Sequence, residues 1–117
     1  MSFIYLKPKT KSLKITKTGS AIAALVDNGN LISFENSTND YSYQIPAHST
    51  VPFPIMSWIE LRKTGTGDIT ISRAGSVTFA GALGNVDFKI DGEEGYSVFI
   101  RQTALNVWEY SGSLKSL

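Results

Sequence analysis

The 117-residue chain is 42% apolar and 18% charged, with ten glycines, four prolines, no cysteine and a formal net charge of +1. That length makes one domain whose core needs no covalent staple, and the missing cysteines exclude disulfide frameworks, thiolate metal sites and thiol catalysis. Near-neutral charge gives no whole-molecule drive toward nucleic acid or acidic membrane, no apolar run approaches the roughly 20 residues of a transmembrane helix, and the first residues lack a signal-peptide layout, so the expected product is made in the cytoplasm and binds neither.

The charge is unevenly spread. Residues 1–17 hold Lys7, Lys9, Lys11, Lys14 and Lys17 and no acid, whereas the rest of the chain holds six Lys/Arg against ten Asp/Glu. Residues 1–19 therefore read as a basic N-terminal arm or edge strand, and 20–117 as a single β domain. The arm opens on Phe3, Ile4, Tyr5 and Leu6, and Pro8 blocks a helix there, so it is extended. Three roles are open to it: a solvated first strand, an arm lying on a partner, or a nucleic-acid contact. The last is the weakest, because five lysines without a phosphate-cradling motif supply only non-specific attraction. Residues 20–26 are the one place for a short helix.

From residue 30 onward apolar and polar residues alternate with period two, the pattern of half-buried strands. It runs through 31–35, 41–45, 58–62 and 69–72, then 77–79, 86–90, 96–100 and 107–111. Turn chemistry separates these runs. Asp27-Asn28-Gly29-Asn30 and Ala74-Gly75 read as tight turns, and residues 64–68, 91–95 and 104–106 as hairpin loops. Pro46, Pro52 and Pro54 make residues 46–54 a rigid crossover that cannot be a central strand. The apolar positions Trp58, Ile59, Leu61, Ile69, Ile71, Val77, Phe79, Phe88, Ile90, Val98, Ile100 and Trp108 exceed what one sheet face can hide. The expected fold is all-β: an antiparallel β-sandwich or small jelly-roll-like barrel with an extended N-terminal arm.

No catalytic constellation stands out. His48 is the single histidine, so neither a triad nor a histidine metal site can be assigned. Gly65-x-Gly67 lacks the third glycine and the helix of a phosphate loop. Asp91, Glu93 and Glu94 read as a solvated hairpin tip with too few convergent oxygens for calcium. Glu35, Glu60 and Glu109 all fall in strands, and nothing pairs two of them across a cleft. Trp58, Trp108, Tyr41, Tyr43, Tyr96 and Tyr110 could stack on sugars, although strand aromatics more often build the core. The residues suggest a binding or structural part, not an enzyme, with no cofactor and no metal.

The ordered set of motifs from about residue 25 to the end resembles a small β domain of bacteriophage virion proteins, found in capsid decoration (cement) proteins and in tail-fibre modules. Asp27-Asn28-Gly29-Asn30-Leu31-Ile32 is similar to its opening strand, and Tyr43-Gln44-Ile45-Pro46-Ala47, followed by Phe53-Pro54, to a strand ending in Pro-Ala and its loop. The stretch from Trp58 through Gly65-Thr66-Gly67-Asp68 to Ile71 is similar to a Gly-x-Gly hairpin. Gly95-Tyr96-Ser97-Val98 and the run from Asn106 through Trp108 to Leu114 are similar to closing strands. One departure is that Met56-Ser57 stand where glycine is common, so the turn before Trp58 is expected to differ. The resemblance implies no catalytic residue.

A domain beginning this close to Met1 is expected to be a free-standing decoration protein on the virion surface. Its partners would be the major capsid protein and further copies of itself, a trimer before a dimer, and its interfaces would bury roughly 1,200–2,000 Å² or more. The capsid-binding residues would be Phe3, Ile4, Tyr5, Leu6, Lys7, Lys9, Lys11, Lys14 and Lys17. The alternative is a tail-fibre or vertex-fibre module that binds host surface carbohydrate.

Overall fold

The computed structural model describes residues 13–92 and 95–117. They form eleven strands: β1 (Lys14–Lys17), β2 (Ala21–Ile22), β3 (Asn30–Phe34), β4 (Tyr41–Ile45), β5 (Trp58–Lys63), β6 (Ile69–Arg73), β7 (Thr78–Ala80), β8 (Phe88–Ile90), β9 (Ser97–Ala104), β10 (Val107–Gly112) and β11 (Leu114–Ser116). The only helical turn among them is a 3₁₀ turn at Leu25–Asp27. A six-stranded sheet in the order β1-β3-β5-β9-β10-β7 lies against a five-stranded sheet in the order β11-β8-β6-β4-β2. The all-β sandwich expected from the alternation is present.

Its strand directions are not those expected. Five of the nine pairings are parallel, namely β1 with β3, β3 with β5, β2 with β4, β4 with β6, and β7 with β10. The cause is a winding path. Each strand from β1 to β8 hands the chain to the opposite sheet, and only β9 and β10 are consecutive neighbours in one sheet. A strand that returns after a full turn runs in the same direction as its predecessor. The long crossover that parallel strands need is supplied by the strand of the other sheet. β1/β2, β3/β4 and β5/β6 are thus three successive turns of one coil, and antiparallel β8 and β9 close its far side.

The corners are therefore the distinctive parts. The 64–68 segment is not a hairpin loop. It carries the chain from β5 in one sheet to β6 in the other, directly over the corner between β3 and β4. The Thr66 and Gly67 amides donate to the Ser37 carbonyl at 2.7 and 3.1 Å, and Ser37 holds φ at 49° to present it. Buried Asn36 ties the same two corners: its Oδ1 accepts from the Gly65 amide at 2.9 Å and its Nδ2 donates to the Gly67 carbonyl at 2.9 Å. Side-chain oxygens do the same elsewhere. Asn28 accepts from the Trp58 amide, Asn30 from the Leu13 amide and Asp40 from the Asp68 amide. The Gly-x-Gly spacing follows from this stacking, because a Cβ at Gly65 or Gly67 would run into the Ser37 or Asn39 backbone. The 91–95 segment, of which residues 93 and 94 lie outside the described residues, joins β8 and β9, strands of different sheets, whereas 104–106 is a true hairpin with Asn106 at φ 58°.

Between the sheets the inward residues form one core, and apart from Trp58 every apolar position expected there is at most 1% exposed. Each such side chain contributes about 1.5–3 kcal/mol when fully buried. Phe34 meets Tyr43 edge-on across the sheets at 5.7 Å, and Phe79, Phe88 and Tyr110 form a three-ring cluster. The strand-free proline segment after β4 delivers Phe53 onto Trp108, edge to face at 5.4 Å. Buried Gln102 clamps that segment by donating to the Phe53 and Pro54 carbonyls. Met56 takes φ 76°, the left-handed region that favours glycine, so the turn before β5 keeps a glycine-type backbone although methionine stands there.

Candidate binding surfaces

Of the nine capsid-binding residues expected from the sequence, Phe3, Ile4, Tyr5, Leu6, Lys7, Lys9 and Lys11 lie outside the described residues. Lys14 and Lys17 lie in β1, which joins the six-stranded sheet as an edge strand in parallel register with β3, Lys14 opposite Leu31 and Lys17 opposite Phe34. The alternation along β1 turns Ile15 toward the core and leaves Lys14 exposed. This part of the basic region is therefore built into the domain.

β1 and β2 are edge strands of their respective sheets and together make the end turn of the coil. That turn leaves four large apolar side chains exposed: Leu13 at 57%, Ile22 at 57%, Leu25 at 50% and Val26 at 66%. Inside it buried polar groups hold the chain together, although Asp27 Oδ1 is left without a hydrogen-bond partner. Asp27, fully buried, accepts from the Ala24 amide at 3.1 Å and from the Tyr43 hydroxyl at 2.6 Å. Burial, then the neighbouring carboxylate, pushes the Tyr43 phenol far above its ordinary range. Asn30 binds the Val26 carbonyl and the Leu13 amide. The end turn is thus a fixed platform with an apolar outer surface and a lysine-bearing edge, an arrangement not readable from residues 20–26 as a helix candidate.

The second surface is the outer face of the six-stranded sheet. Trp58, half-buried on this face, stacks on Phe99 of β9, with centroids 5.4 Å apart and planes at 18°. The Arg101 guanidinium lies over the Phe99 ring at 5.4 Å. Cross-strand register sets Arg101 between Trp58 and Glu109, and Phe99 between Glu60 and Ser111. An open groove of about 280 Å³ runs here, lined by Phe99, Arg101, Glu109, Tyr110 and Ser111. The other candidate stacking residues divide. Trp108, Tyr43 and Tyr110 are buried, while Tyr96 is exposed outside the strands. Phe99 is absent from the sequence-based set of stacking residues, although alternation with core Val98 and Ile100 places it on the outer face.

The His48 amide is held by Asn106 Oδ1 at 2.8 Å, and no group of three metal-ligating side chains is present among the described residues. Glu93 and Glu94 lie outside them. No helix of the described residues is long and apolar enough to cross a membrane. The chain matches no family model, no curated protein and no solved structure.

Proposed function

We propose that the protein is a bacteriophage capsid decoration protein that sits on the outside of the shell and bridges major capsid subunits. The observation that carries this reading is the end turn, where Leu13, Ile22, Leu25 and Val26 expose apolar surface beside Lys14 on edge strand β1. Exposed apolar groups gathered on a rigid frame mark an interaction surface. Their burial against a shell subunit drives adhesion, while the lysines of the basic region orient the domain over an acidic surface for only about 0–1 kcal/mol per pair. The ordered set of phage-like motifs supports the same assignment. So does a sandwich whose stacked corners at 36–39 and 64–68 are hydrogen-bonded together, suited to carrying load between subunits. On the particle the protein is a homo-oligomer, a trimer before a dimer.

The test is co-sedimentation with empty shells of the parent phage. The exposed-site double variant Ile22→Ser/Val26→Ser keeps the core intact and is expected to bind at least tenfold more weakly. Removing residues 2–11 separates the flanking segment from the end turn, and a further loss assigns part of the anchor to Phe3, Ile4, Tyr5 and Leu6. Unchanged binding in both variants would show that the contact lies elsewhere. A wild-type protein that ignores shells but binds tails would assign it to the fibre instead.

A further inference from the structure

The geometry points to a saccharide-binding site on the outer face of the six-stranded sheet, centred on Trp58, Phe99, Arg101 and Glu109. Three observations converge. First, the stacked rings of Trp58 and Phe99 offer an apolar patch on a strand face that is otherwise polar. Second, charged side chains of both signs ring the patch. Arg101 lies opposite Glu109 and Trp58 in cross-strand register, and Glu60 opposite Phe99. Third, these charges are not spent on each other. The ion pairs among the described residues are Arg73 with Asp87 and Lys89 with Asp68, and the Arg101 Nε, although buried, has no hydrogen-bond partner.

The ligand chemistry follows from that combination. A sugar ring presents an apolar C–H face, which stacks on an aromatic ring, and an edge of hydroxyls that both donate and accept. Carboxylates of Glu60 and Glu109 accept from hydroxyls, and the Arg101 guanidinium donates to them. A wholly apolar partner would strand these charges without water or hydrogen bonds, which is costly. A phosphate-bearing partner needs a positive surface, yet here Arg62 and Arg101 are balanced by Glu60 and Glu109. The groove of about 280 Å³ falls just below the usual range of roughly 300–1,000 Å³ for small-molecule sites, so it takes one ring of a neutral glycan and leaves the rest in solvent. The site does not depend on shell binding, because it lies on a sheet face and not on the end turn.

The experiment is a glycan array carrying neutral and sialylated oligosaccharides, followed by fluorescence titration of the full chain with each hit. Trp108 is only 1% exposed, so a ligand-induced change in emission reports on Trp58. The expected result is binding to at least one neutral glycan with a tryptophan signal, weakened at least tenfold in Phe99→Ala and in Glu109→Gln. Glu109 is solvent-exposed, so Glu109→Gln tests the site even if Phe99→Ala misfolds. Glu109→Gln should leave shell co-sedimentation unchanged, which keeps the two proposals separable. No neutral glycan bound at millimolar concentration, binding confined to sialylated glycans, or Glu109→Gln binding like wild type would each overturn the proposal.

Discussion

Replacing Gly67 by alanine puts a methyl group into the seam between the second and third turns of the coil. The new Cβ would lie 2.8 Å from the Asn39 nitrogen, with the Asn39 carbonyl group nearer still. All of these are backbone atoms, so no side chain can swing aside, and the two corners must separate. Separation stretches the bond from Asn36 Nδ2 to the Gly67 carbonyl and those from the Thr66 and Gly67 amides to Ser37. Overpacking alone costs about 1–3 kcal/mol, and a buried polar group left unpaired about 1–3 kcal/mol more. A loss of about 3–5 kcal/mol is expected, a large part of the 5–15 kcal/mol typical of a domain. Gly75→Ala is the control. Nothing lies within 4 Å of its Cβ and its φ is not left-handed, so alanine there should raise stability by about 0.4–1 kcal/mol through the unfolded chain. Urea titrations followed by tryptophan fluorescence read both midpoints. A Gly67→Ala midpoint equal to wild type would refute the stacked-corner account of the Gly-x-Gly motif.

Three further outcomes follow. Tyr43→Phe removes the hydroxyl that donates to buried Asp27 at 2.6 Å and should cost about 1.5–3 kcal/mol, the range for hydrogen bonds to charged groups. Because the folded-state pKa of Tyr43 is raised above its ordinary 10.0, wild-type stability is fully present below pH 10.0 and falls above it. That slope should shrink by one proton in Tyr43→Phe, as read by chemical denaturation between pH 9 and 11. The hydrogen bond from Lys89 at 3.0 Å holds Asp68 below its ordinary 3.8, so this pair's contribution is present above pH 3.8 and lost as pH falls below it. Carboxyl NMR titration of Lys89→Met should show the Asp68 midpoint moving up toward 3.8. Met56→Gly relieves a left-handed φ at a side chain that is 55% exposed. Relief of about 1–2 kcal/mol against a glycine entropy cost of about 0.5–1 kcal/mol leaves a net gain of up to about 1.5 kcal/mol, visible as a higher melting temperature.

Alternation decided most of what could be read from residues. It tells which side chains face inward, and Ile59, Leu61, Ile69, Ile71, Val98 and Ile100 are all fully buried as it required. It does not tell which sheet a strand joins. A glycine-rich break between two alternating runs is equally compatible with a hairpin and with a corner that climbs to the facing sheet, and the choice at 64–68 rests on contacts to Asn36 and Ser37, about thirty residues away. Trp58 is among the positions expected in the core, yet alternation with buried Ile59 and Leu61 puts it on the outer face; what alternation does not show is its cross-strand neighbour Arg101, a long-range property. The end-turn surface was hidden for a related reason. Ile22, Leu25 and Val26 lie in the stretch read as the one place for a short helix, and their exposure follows from the topology that makes β2 the last strand of its sheet.

Shell binding is tested most directly by electron cryomicroscopy of purified parent-phage particles. The account requires density for this sandwich on the outer capsid surface, with the β1/β2 end turn against the major capsid protein and copies grouped around symmetry axes. Density on the tail alone, isolated copies that touch no other, or a capsid contact made by the opposite end of the sandwich would contradict it.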